Sequence, residues 1–176
     1  MKAHIVNISS ITNEDKTFIQ IFGRLENQKS FATVIPFIPY FYIREQDLSK
    51  AKNVLEKAII EKTKFTNKEQ ESVLKISHEN KTELIKIIKV VHQKNLNTYE
   101  ADLSPTMRYI IDNDLYNTIE ITGETEPSEL VDVIFKEAKI KQTHANIALK
   151  VLSLDIETNK NIEELFCIGL YSHNYE

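Results

Sequence analysis

Between residues 3 and 25 apolar and polar side chains alternate nearly one by one, and a chain patterned this way can bury its apolar half only as strands. Ala3 to Ile8 alternates. Thr17 to Leu25 alternates again, with Phe18, Gln20 and Phe22 on one parity and Ile19 and Ile21 on the other. Asn13-Glu14-Asp15 is the polar turn between them. A third run, Ser30 to Ile35, leads into Pro36-Phe37-Ile38-Pro39-Tyr40-Phe41-Tyr42-Ile43. Proline is confined to strand starts, edges and bulges, so this segment is expected to be a bent or interrupted strand pair in a small antiparallel sheet.

The pattern then changes period. Asp47 is expected to cap a helix with Leu48, Ala51, Leu55, Ala58 and Ile59 at helical spacing. Short strands are expected around residues 63–66 and 72–77. Asn80-Lys81-Thr82-Glu83 resembles a capping box and opens a helix with Leu84, Ile87, Ile88 and Val91 on one face. Ser104 and Pro105 fit the cap and first turn of another helix. Tyr116 to Thr122 reads as a strand and residues 123–128 as a loop. Ser128 to Ile140 reads equally as a short helix or an ordered linker. Ile147 to Ile156 and Leu165 to Tyr171 are the strongest apolar runs and read as neighbouring buried strands, with a domain boundary near residues 142–146.

Composition narrows the function classes. With 41% hydrophobic and 27% charged residues over 176 positions, the chain has the balance of a globular protein, one domain or one plus the start of a second. A net charge of −4 argues against a surface that grips nucleic acid by general electrostatics. No apolar run reaches the ~20 residues of a membrane span, and the start lacks a signal-peptide stretch. The single cysteine, Cys167, sits in an apolar strand, so a buried structural thiol is expected; one thiol forms no internal disulfide and suits a reducing cytoplasm. Three glycines leave no room for a glycine-rich phosphate loop. His4, His78, His92, His144 and His173 are too scattered for a zinc site.

The segment Leu152-Ser153-Leu154-Asp155-Ile156-Glu157-Thr158 carries the clearest chemistry. On a strand, Ser153, Asp155 and Glu157 share one side, and the two carboxylates spring from points about 7 Å apart. Such a pair suits magnesium or manganese ions about 4 Å apart, the layout of two-metal phosphodiester hydrolysis. A solvent-facing strand end with two ordinary acids explains the tripeptide equally well. Phe37, Tyr40, Phe41 and Tyr42 fit either stacking on unpaired bases or a small aromatic core, with core the commoner outcome. Arg108, beside Tyr109, fits a phosphate contact or a surface ion pair.

Three segments together carry a resemblance. Phe37-Ile38-Pro39-Tyr40-Phe41-Tyr42-Ile43 is similar to the Phe-x-Pro-Tyr-Phe-Tyr segment of archaeal family B DNA polymerases. Tyr99-Glu100-Ala101-Asp102 through Arg108-Tyr109-Ile110-Ile111-Asp112 is similar to their Tyr-Glu-x-Asp…Arg-Tyr-Leu-Ile-Asp segment. Leu149 to Thr158 is similar to the first exonuclease motif, and Cys167-Ile168-Gly169-Leu170 resembles bacterial DNA polymerase II. Order and spacing agree over residues 30–176.

The resemblance implies an α+β fold: residues 1–142 as an amino-terminal domain of small antiparallel sheets with packed helices, and residues 147–176 as the first strands of a ribonuclease-H-like 3′→5′ exonuclease domain. It implies Asp155 and Glu157 as catalytic metal ligands, for Mg2+ or Mn2+ in the complete sites, with no tight binding to this piece. Pro39, Tyr40, Arg108 and Tyr109 are implied as nucleic-acid contacts, and Pro39, Arg108 and Tyr109 match positions around a pocket that senses template uracil in archaeal relatives. Where those relatives carry His-Pro-Gln-Asp-Val-Pro, this chain reads His78-Glu79-Asn80-Lys81-Thr82-Glu83, which alters the pocket wall. Implied partners are primer–template DNA, the remaining polymerase domains and a sliding clamp, in the cytoplasm at the nucleoid, with no membrane. Later exonuclease and polymerase motifs do not occur before Glu176, so residues 1–176, a truncated piece or a split-gene product, are expected to be inactive alone. The alternatives are a free-standing single-strand nucleic-acid-binding module and, last, a small independent nuclease.

Overall fold

The computed structural model describes residues 1–172; His173 lies outside the described residues. The chain divides into two compact units, residues 1–145 and 146–176.

The first unit holds two sheets. β1 (Lys2–Asn13), β2 (Lys16–Leu25) and β3 (Ser30–Pro36) form an antiparallel meander. It is closed into a barrel by β8 (Thr118–Glu126) and β9 (Val133–Gln142) in the order β1-β2-β3-β9-β8. The β3–β9 pair is parallel and the other pairs are antiparallel. This is the strand order of a five-stranded Greek-key barrel of the OB type. Ile19, Ile21, Leu25, Phe31, Ile119, Ile121 and Phe135 fill it, the two phenylalanines edge to face at 6.0 Å. Gly23 is required inside the barrel wall: a Cβ there would stand 2.1 Å from the His4 carbonyl oxygen and 2.5 Å from the Phe31 ring.

Between the third and fourth barrel strands the chain builds a second layer. β4 (Tyr40–Arg44), β5 (Ile59–Thr66), β6 (Ser72–Ser77) and the two-residue β7 (Thr98–Tyr99) form an antiparallel sheet in the order β5-β6-β4-β7. A turn containing α1 (Leu48–Ala51) joins β4 to β5, and α2 (Lys81–Gln93) joins β6 to β7. The path is βαββαβ, a split βαβ arrangement. Strand parity sends Phe41 and Ile43 to one face, where they pack with Leu74, Ile76, Leu84, Ile87 and Val91. Tyr40, Tyr42 and Arg44 face the other way. Asn80 caps α2 as expected, its Oδ1 accepting from the Thr82 and Glu83 amides at 2.8 and 3.3 Å.

Four local expectations are corrected. Residues 3–43 do not make one antiparallel sheet: β1–β3 enter the barrel and β4 enters the second sheet. Asp47 caps nothing; its buried carboxylate accepts from Arg44 Nε at 2.7 Å, and only a four-residue helix forms between two 3-10 turns, so Ile59 opens a strand instead. Residues 123–126 continue β8 past a register shift at Gly123, whose φ of +153° and 2.6 Å approach to the Lys136 carbonyl exclude a side chain. Residues 133–142 are neither helix nor linker but the strand that closes the barrel, a role set by its parallel pairing with Phe31, Ala32 and Thr33, far away in sequence, as well as with β8.

α3 (Pro105–Asp112) follows β7 and serves both sheets. Its cap is Ser104, whose Oγ accepts from the Met107 amide at 3.2 Å. Tyr109 points into the barrel core, edge to face with Phe37 at 5.8 Å. Arg108, one residue earlier, is carried round the helix toward the second sheet.

The second unit is an antiparallel hairpin of β10 (Leu152–Thr158) and β11 (Leu165–Ser172). The strands pair as expected but are not buried: every residue from Val151 to Glu157 is exposed, and so is Cys167. Two strands provide no second layer to cover either face.

Candidate nucleic-acid interface

The most constrained polar cluster gathers on Tyr40. Register places Tyr40 opposite Ser77, and Tyr42 between Lys75 on β6 and Tyr99 on β7. Lys75 Nζ lies 4.4 Å above the Tyr40 ring centre, and the Arg108 guanidinium lies 4.6 Å from it. Both distances are within cation–π range. The Tyr40 hydroxyl donates to the Asp112 carboxylate at 2.8 and 2.9 Å. Arg108 Nη2 donates to Glu100 Oε2 at 2.5 Å, and Nη1 stands 3.8 Å from Asp112. A planar cation stacked on a ring and held by two carboxylates is a geometry arginine supplies and lysine does not.

Arg108 is only 5% exposed. Burial opposes its charge, but the Glu100 hydrogen bond and the neighbouring charges outweigh that and hold its pKa above the ordinary arginine value. Burial, then the hydrogen bond to Asp112, raise the Tyr40 phenol well above its ordinary range, so it stays a neutral donor. Arg108 Nε is the one buried side-chain polar atom without a hydrogen-bond partner among the described residues. Glu100 adopts a left-handed φ of 57°, a conformation that costs energy in a residue with a Cβ.

The Tyr40–Arg108 pair lines two cavities. One, of about 310 Å3, is walled by Pro39, Lys81, Ser104 and Pro105 as well. Lys81 reaches it because the α2 start is docked on the β1–β2 hairpin: Asn80 Nδ2 donates to Asp15 at 3.1 Å, and Thr17 Oγ1 accepts the Lys81 amide at 2.9 Å. Lys81 Nζ then donates to the Ser10 carbonyl at 3.2 Å and its hydroxyl at 3.3 Å. The other cavity, of about 660 Å3, opens on the sheet face beside Tyr42, Phe65, Asn67 and Tyr99.

Of the residues singled out in the sequence, Pro39, Tyr40 and Arg108 come together here. Tyr109 lies in the barrel core and lines neither cavity. Asp155 and Glu157 share one face of the separate hairpin, opposite Gly169 and Cys167. No group of three His, Cys, Asp or Glu residues poised to hold a metal occurs among the described residues, so these two acids offer hard oxygen donors without a complete ligand set. Glu100, Asp112, Lys75 and Phe65 were missed, because their convergence depends on sheet register and on where α3 packs. The parity of Tyr40 and Tyr42 against Phe41 and Ile43 was the available signal. No described helix is long and apolar enough to cross a membrane.

No protein-family model matches the chain, and no curated protein matches it in sequence. Over its whole length the chain is similar in fold to the solved family B DNA polymerase of the hyperthermophilic archaeon Pyrobaculum calidifontis, with a TM-score of 0.72 and 18% identity. It spans 26% of that polymerase chain.

Proposed function

We propose that this chain is the amino-terminal, template-side part of a family B DNA polymerase with a 3′→5′ proofreading exonuclease, acting in replication or repair. The observation that supports the reading is the fold likeness to a family B DNA polymerase along the full chain. Its partners are then primer–template DNA, the other polymerase domains and a sliding clamp, and its location the nucleoid. Polymerisation belongs to those other domains.

In this reading the 310 Å3 cavity receives an unpaired template base, uracil included. Tyr40 and Arg108 form its fixed wall, and Lys81 and Ser104 offer donors to a base carbonyl. The hairpin opens a ribonuclease-H-like exonuclease domain in which Asp155 and Glu157 hold Mg2+ or Mn2+ with ligands from further strands. When bound, that metal pair supplies water activation and leaving-group stabilisation. Asp155 and Glu157 bring the negative charge that holds it.

The test is binding of fluorescent primer–template DNA, with and without a template uracil, at two salt concentrations. The reading expects preference for DNA with a single-stranded template overhang, and a Lys81→Ala change in the response to uracil. Equal binding to blunt duplex would overturn it. A self-contained single-strand-binding module is the second reading, favoured by the aromatic sheet face.

A further inference from the structure

The four-stranded sheet has α2 and the α1 turn against one face, and the opposite face carries a run of rings. Tyr40 and Tyr42 meet edge to face at 5.5 Å, and Tyr42 and Phe65 at 6.1 Å. Tyr99 pairs with Tyr42 across the β4–β7 ladder. Phe65 is 62% exposed, and its strand is otherwise largely threonine, lysine and glutamate after its first two residues. It contributes to neither core cluster. With Tyr42 it lines the 660 Å3 cavity.

We infer that this face is a platform for an unpaired nucleobase of single-stranded nucleic acid, stacked on the exposed Phe65 ring beside Tyr42. Its cavity shares Tyr40 and Arg108 with the proposed template cavity and otherwise has its own lining. Three observations support a base over other ligands. An antiparallel βαββαβ sheet with rings on its central strand is the layout that stacks single-stranded bases in RNA-recognition modules. The cavity has the ~300–1,000 Å3 volume of pockets that enclose a small planar ligand. The Tyr99 hydroxyl on its wall accepts from Asn67 Nδ2 at 2.9 Å and can donate its own proton to a base carbonyl.

Charge decides how the strand is held. An adjoining cavity of about 460 Å3 shares Thr98 and Tyr99 and continues past Arg44 and Lys68, a route for the sugar-phosphate chain. Each nearby cation already has an acid: Arg44 has Asp47 and Glu71, Lys68 has Glu69, and Lys75 has Glu61. Phosphate attraction is therefore weak, and stacking dominates. RNA and DNA present the same base chemistry, so both strands belong in the experiment.

The sequence contains no tryptophan, so Phe65→Trp places a single indole reporter on the platform. The chain is titrated with short oligothymidylate and oligouridylate, following indole quenching in this variant and anisotropy of labelled strands in all variants. Saturable quenching is expected, with Phe65→Ala weakening binding about tenfold or more. Raising salt from about 50 to about 200 mM should weaken it far less than the ~10³–10⁵-fold of a protein making many phosphate contacts. The stronger oligomer identifies the natural strand. Absent quenching, or anisotropy unchanged by Phe65→Ala in a variant with native circular dichroism, overturns the inference. Binding lost in Lys81→Ala but kept in Phe65→Ala also overturns it, while leaving the template-cavity reading standing. Binding kept in Lys81→Ala and lost in Phe65→Ala is the converse and supports it.

Discussion

Arg108 shows how one residue is committed by its neighbours. A buried guanidinium is tolerated only where its charge is matched, and Glu100, Asp112 and the Tyr40 ring share that task, with Nε alone left without a hydrogen bond. Glu100→Ala leaves the charge partly unmatched and should destabilise the chain by about 1–3 kcal/mol, read by urea denaturation. A second residue-scale tie is Asp132, whose carboxylate accepts from the Ser30 hydroxyl at 2.6 Å and amide at 2.7 Å and joins β3 to the β9 entry. Those hydrogen bonds hold its pKa below the ordinary aspartate value. A folded pKa below the unfolded one gives stability that is present above the unfolded value and lost as pH falls through the folded one. The stability gap between wild type and Asp132→Ala should therefore be open at neutral pH and narrow below about pH 4. A gap that stays constant to lower pH would contradict the assignment.

Among the elements, α2 and α3 were legible because their signals are local: Asn80 caps one, and Ser104-Pro105 starts the other. Asn80→Ala should cost about 1–2 kcal/mol, since it removes both the cap and the bond to Asp15 that docks α2 on the barrel hairpin. Thermal denaturation checks this. The β9 segment was not legible, because Val133, Ile134 and Phe135 become a strand only by pairing with Phe31, Ala32 and Thr33 far away in sequence. The interface divides the same way. Tyr40 and Arg108 stood out by residue type, whereas Phe65 and Lys75 reach Tyr42 and Tyr40 only through the β5-β6-β4 order. Tyr109 illustrates the converse, a polar aromatic beside Arg108 whose helical phase turns it into the core.

At the scale of the whole molecule, residues 1–145 contain both core clusters, and residues 146–176 are a two-stranded hairpin with exposed Leu152, Leu154, Ile156, Ile168 and Leu170. Two strands alone are marginal in water. Residues 1–145 should thus unfold cooperatively by themselves, while a peptide of residues 146–176 should show no strand signal by circular dichroism at low concentration. The central claim, that this chain contacts unpaired template DNA through the layer around Tyr40, is tested most directly by hydrogen exchange of the full chain with and without primer–template DNA bearing a single-stranded overhang. The account predicts slowed exchange in residues 37–44 and 99–112, little change in β8 and β9, and no such effect from blunt duplex. Protection confined to the barrel, or equal protection by blunt duplex, would contradict it.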